Sequence, residues 1–81
     1  MKNINDFEFH MLTGTQLVAE MITNRVRVCL QDTDVDIMEL AESVSNSSYH
    51  VRYEDFDNMA TVYFMNPIDR SRFLDSVNQN I

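Results

Sequence analysis

Cys29, His10 and His50 are the only thiol and imidazole side chains in this sequence. Zinc sites draw such ligands from one helix face at i, i+3 or i+4, or from a short loop, and these three do not stand at those spacings. A catalytic thiol needs a neighbouring base and a depressed pKa. Arg25 and Arg27 lie near Cys29 in sequence, but only His50 could serve as the base, so Cys29 reads as a small, half-buried strand residue. Asp32-x-Asp34-x-Asp36 has the opening of a calcium loop. Such a loop needs Gly at its sixth position and a bidentate Glu at its twelfth, where this chain has Ile37 and Ser43. The three acids read instead as the start of a helix, where they complement its dipole. With Gly14 as the only glycine, no glycine-rich phosphate loop can be built. The expectation is a chain with no catalytic residues, no cofactor and no metal.

What remains is binding, and the elements that would position binding residues are legible in pieces. Residues 25–31 alternate Val26, Val28 and Leu30 against Arg25, Arg27, Cys29 and Gln31, as a strand does. Residues 49–56 alternate Tyr49, Val51 and Tyr53 against His50, Arg52 and Glu54. Residues 59–65 alternate Ala60, Val62 and Phe64 against Met59, Thr61 and Tyr63. Asp57-Asn58 supplies turn chemistry between the last two, predicting a hairpin.

Asn66-Pro67-Ile68-Asp69 opens a helix over 67–78. Asn66 caps with its side chain, Pro67 has no amide to lose, and Asp69 meets the positive end of the dipole. Phe73, Leu74 and Val77 form its apolar stripe. A second helix, over 33–45, starts within Asp32-Thr33-Asp34 and repeats Ile37, Leu40, Ala41 and Val44 on one face, with Asp36, Glu39 and Glu42 as an acidic surface. Nearer the N-terminus, the alternation of Phe7, Phe9 and Met11 predicts a strand at 6–11. Thr13 and Gln16 read as a capping box before a helix over 14–23 carrying Leu17, Val18, Met21 and Ile22. A hairpin turned at Gly14 is the alternative for the same residues.

These placements define two candidate surfaces. If the helices cover the sheet face of Val28, Val51 and Val62, the opposite face shows Arg25, Arg27, Cys29, His50, Arg52, Met59, Thr61 and Tyr63. Three of the six basic residues gather there. Of these, Arg25, Arg27, His50, Arg52, Met59 and Tyr63 form the candidate interaction surface, with methionine as an adaptable contact residue. Residues 1–24 either pack on this face or extend the sheet. Asp36, Glu39 and Glu42 form the second, acidic candidate.

From residue 25 onward the order strand, helix, strand, strand, helix resembles a ferredoxin-like domain lacking its last strand. Val62-Tyr63-Phe64-Met65-Asn66-Pro67-Ile68-Asp69 is similar to the passage from third strand to second helix in RNA-recognition-motif domains, where an aromatic ends the strand and Asn/Asp-Pro-x-Asp opens the helix. The resemblance covers residues 25–79 and implies that fold. The family's third strand presents a basic residue and two surface aromatics to RNA bases. The matching positions here are Asp57, Met59 and Thr61, which supply no ring and one carboxylate that repels phosphate.

The composition agrees with a binding module. Eighty-one residues, 44% hydrophobic with one Gly and one Pro, describe a single packed domain of residues 1–81. A net charge of −7 opposes the phosphate contacts on which nucleic-acid affinity rests. One cysteine excludes an internal disulfide and fits the cytoplasm. The longest mostly apolar run without charge, residues 59–65, is far too short to span a membrane, and no targeting or lipidation signal is legible.

The expected fold is therefore α+β: a ferredoxin-like β-α-β-β-α unit at 25–79 with a mainly antiparallel sheet, helices on one face, and an N-terminal strand and helix. The expected function is a small acidic, non-catalytic protein-interaction module whose partner is another protein, a second copy of the chain included. Phage-encoded inhibitors share this composition. The alternatives are a ligand- or single-stranded-RNA-binding domain using Arg25, Arg27 and Arg52, and then a small enzyme.

Overall fold

Residues 3–32, 35–54 and 56–79 are described in this computed structural model. In chain order they form α1 (Asp6–Met11), α2 (Gln16–Thr23), β1 (Arg25–Cys29), a 3-10 turn at Leu30–Asp32, α3 (Ile37–Val44), β2 (Tyr49–Glu54), β3 (Met59–Phe64) and α4 (Pro67–Gln79). The strands make one sheet in the order β1-β3-β2 with both pairings antiparallel. β1 and β2 therefore run parallel to one another with β3 between them, and α3 is the crossover that joins them. The fold is α+β.

The valines set the register, because a slip by one residue would turn every apolar side chain to the wrong face. Val26, Val62 and Val51 lie in one row across the three strands. With Val28, Tyr49, Ala60 and Phe64 they pack against Ile37 and Ala41 of α3 and Phe73 and Val77 of α4. Phe64 and Phe73 meet at 5.2 Å between ring centroids in a tilted arrangement, a geometry aromatic pairs favour.

α4 begins where its sequence requires. The Asp69 amide donates to Asn66 Oδ1 at 2.9 Å, and Pro67 takes the first helical position. α3 begins later than the expected residue 33. Asp36 is its cap, with Oδ1 accepting from the Met38 and Glu39 amides at 3.0 and 3.3 Å, while Thr33 and Asp34 of the expected start lie outside the described residues. β1 also stops at Cys29, two residues short of the expected end, because Leu30–Asp32 turns into a 3-10 helix. The hairpin turn between β2 and β3 ends at Asn58 with φ of 54°, a left-handed conformation that asparagine tolerates.

The N-terminal quarter corrects two expectations. Residues 6–11 are helix α1, not a strand. The Asn5 side chain caps it by accepting from the Glu8 amide at 2.8 Å. Phe9 alone of the alternating Phe7, Phe9 and Met11 is buried, so the period-two pattern does not mark one face. The Thr13–Gln16 capping box also gives way. Thr15 caps α2 by accepting from the Val18 amide, and Gln16 reaches Glu20 instead. Gly14, with φ of 93°, turns the chain between α1 and α2, where its missing side chain permits that backbone.

Helices therefore lie on both faces of the sheet, not one. Ile4, Phe9, Val18 and Met21 form a second apolar cluster, joined by Leu12, Leu17, Tyr63 and Met65. The sequence leaves residues 1–24 to pack on the sheet or to extend it, and those described do both. α1 and α2 cover part of the second face. Asn3 forms a parallel bridge to Tyr49, with the Ile4 amide donating to the Tyr49 carbonyl at 2.7 Å.

Candidate interaction surface

Strand register brings the second-face residues together in three rows: Arg25, Tyr63 and His50; Arg27, Thr61 and Arg52; Cys29, Met59 and Glu54. The parity inferred from the sequence holds, but these residues do not form one open surface.

The first row is closed. His50 is 1% exposed. The Phe9 ring stacks on it at 4.4 Å and 14°, and the Tyr63 ring lies 5.7 Å away on the same face. His50 Nδ1 bonds the Ile4 carbonyl. Nε2 lies 3.1 Å from Asp6 Oδ1, out of line for a hydrogen bond. Sheet and N-terminal segment are thus joined through an imidazole, and His50 leaves the candidate surface. Arg25 sits at the end of this row and donates to the Ile22 carbonyl at 3.1 Å. It thereby satisfies a carbonyl in the last turn of α2, which has no other basic residue there.

In the second row Arg27 is engaged within the chain. Its guanidinium lies 2.6 Å from Glu54 Oε2 and 3.5 Å from Asp57 Oδ2. The other oxygen of Glu54 accepts from the Thr61 hydroxyl at 3.2 Å, so Thr61 is buried beneath this network. Arg52 lies with its guanidinium carbon 5.7 Å from the Phe9 ring centroid, a cation–π contact. Among the described residues no carboxylate lies within ion-pair distance of Arg25 or Arg52. Met59 and Cys29 are half-buried in the third row.

The acidic candidate is divided in the same way. Asp36 caps α3. Glu42 accepts from the Tyr49 hydroxyl, tying α3 to β2. Burial, then that hydrogen bond, then the charge of Glu42 push the Tyr49 phenol well above its ordinary range. Glu39 is left as the open carboxylate, beside an exposed cleft of about 280 Å³ lined by Val35, Asp36, Glu39, Leu40 and Ser43.

No family model, no curated protein and no solved structure matches this chain.

Two residues carry more than their sequence positions suggested. Asp69 is 1% exposed. Besides its place at the start of α4, its Oδ2 accepts from the Asn46 and Ser47 amides at 3.1 and 3.2 Å and from Asn66 Nδ2 at 3.4 Å. It holds the α3–β2 loop on α4, a link spanning 22 and 23 residues that no local pattern announces. The other is Phe56, in the β2–β3 turn, whose side chain stands fully in solvent. The alternation over 49–56 places it at the end of a strand, but β2 stops at Glu54; the acids on either side of the ring, Asp55 and Asp57, were the signal that the chain turns there. Among the described residues no group of three potential ligands could hold a metal ion, and no helix is long and apolar enough to cross a membrane.

Proposed function

We propose that this chain is a small acidic protein-interaction module that acts by binding another protein and performs no chemistry of its own. The observation that carries this reading is apolar area held in water. Phe7, Met11, Phe56 and Ile68 are 73, 66, 104 and 63% exposed, and burying a side chain of this size contributes about 1.5–3 kcal/mol. Phe7 and Met11 are four residues apart on α1 and share one side of it. The order β1-α3-β2-β3-α4 supports a ferredoxin-like unit lacking its last strand as the scaffold. The RNA-binding role that goes with one branch of that architecture is disfavoured, since Met59 and Thr61 stand where stacking rings would be needed and His50 is buried.

Affinity capture tests the reading. The immobilised chain should retain a discrete protein from the cells that make it, and the pair should re-form from purified components at about 0.15 M salt. Failure to reconstitute any pair would remove the proposal. A second reading, an anionic ligand or single-stranded RNA on the sheet, is favoured only by Arg25 and Arg52, which have no carboxylate within ion-pair distance among the described residues. It predicts binding that disappears with Arg52→Ala.

A further inference from the structure

The β2–β3 turn carries the most exposed large apolar side chain among the described residues, Phe56, and described residues on either side of it are held from across the sheet. Arg27 reaches across the sheet from β1 and contacts both Glu54, the last residue of β2, and Asp57 within the turn. Thr61 fixes the second oxygen of Glu54. Asn58 adopts its left-handed conformation, and its carbonyl accepts from the Leu30 amide at 2.9 Å. Arg27, Thr61 and Leu30 therefore hold Glu54, Asp57 and Asn58, described residues on either side of Phe56, whose own side chain stands in water. Held residues beside an aromatic side chain lower the ordering cost when a pocket closes on it, and aromatic anchors dominate the energetics of protein interfaces.

Charge selects the kind of pocket. Glu54 and Asp57 share a single arginine, and their side chains remain 33 and 66% exposed, so the tip keeps an excess of negative charge. The chain as a whole carries a net charge of −7. A second copy of this chain would bring like charge against like. We infer that the β2–β3 turn is a docking tip on which Phe56 is the anchor, and that its occupant is a protein carrying an apolar pocket rimmed by lysine or arginine. The inference rests on the proposed protein-binding function and assigns it to one place.

Photo-crosslinking separates the two claims. p-Benzoylphenylalanine is introduced singly at positions 56, 7 and 68 of the full chain, made in its own cells and irradiated. The expected result is an adduct from position 56 whose attachment maps to an apolar pocket with basic residues at its rim. With that partner purified, Phe56→Ser should weaken binding by about thirty-fold, the effect of losing an interface anchor of about 2 kcal/mol, while leaving the unfolding midpoint unchanged. The association rate should fall as salt is raised. Adducts from position 7 or 68 but not 56 would overturn the docking tip and leave the protein-binding function standing. Adducts from none of the three would overturn both. An adduct only to a second copy, or to a surface without basic residues, would overturn the inference about the tip.

Discussion

At the scale of single residues, Asp69 is the most consequential side chain in the C-terminal half. A buried carboxylate is costly unless its charge is met by donors, and here two loop amides and the Asn66 side chain meet it. Asp69→Ala should cost about 1.5–3 kcal/mol, in line with hydrogen bonds to charged groups. It should appear as a lower urea midpoint with an unchanged slope. Asn66→Ala removes the cap and should cost about 0.5–2 kcal/mol. An unchanged midpoint there would show that the Asn66 contacts to Asp69 are not formed in solution. Tyr49 gives a pH test. Because its folded-state phenol is pushed above the ordinary value, its contribution is intact below about pH 10 and is lost as pH rises beyond that, where the unfolded chain ionises first. Stability of the wild type should therefore fall more steeply above about pH 10 than that of Tyr49→Phe, measured side by side by denaturant titration. Equal slopes would mean that the phenol is not shielded.

At the scale of elements, what could be read beforehand was whatever local chemistry determines. Asn66-Pro67-x-Asp69 marks the start of α4 because cap, proline and first-turn acid all act within four residues. The face parity of the strands was legible because apolar and polar residues alternate on all three: Val26 and Val28 on β1, Tyr49 and Val51 on β2, Ala60, Val62 and Phe64 on β3. α1 was not, because six residues with Phe7, Phe9 and Met11 at every second position satisfy a strand pattern. The Asn5–Glu8 cap is a local signal for the helix that this pattern masks, and the contact of Phe9 with His50 and Tyr63, residues 41 and 54 positions away in the sequence, docks it. The Arg27–Glu54 pair was hidden for a similar reason: it joins β1 to β2 across β3 and exists only once the strand order is known. Phe9 should accordingly carry the docking of α1. Phe9→Ala should destabilise the fold by about 3–5 kcal/mol, the range for large buried aromatics, and should expose α1 amides to hydrogen exchange before those of β3. Uniform exchange across α1 and β3 in that variant would show that the N-terminal segment does not open separately.

At the scale of the whole molecule, the distribution of charge bears on the proposed choice of partner. The chain is strongly acidic, and the arginines that gather on one sheet face are partly consumed there: Arg27 by Glu54 and Asp57, Arg25 at the end of α2. Arg52 alone lies over an aromatic ring with no carboxylate beside it among the described residues, and one guanidinium is a small footprint for a polyanion. Each neutralised phosphate steepens the loss of nucleic-acid affinity with salt. A true single-strand binder would also need stacking rings along its groove. Here Phe9 shields His50 and packs beside Tyr63, and Met59 is half-buried. Titration with a fluorescent oligonucleotide should therefore show no saturable binding even at low ionic strength, and Arg52→Ala should change nothing. The same chain should associate with the proposed protein partner faster as salt is lowered, because attraction between an acidic surface and a basic one is then least screened. Glu39→Lys offers a control, since Glu39 is the open carboxylate on α3 and its reversal leaves both the cap at Asp36 and the Tyr49–Glu42 bond in place. It should slow association only modestly if the docking tip, rather than α3, meets the partner. A submicromolar oligonucleotide complex at moderate salt that is weakened by Arg52→Ala would reverse this ordering and make the sheet face the binding site.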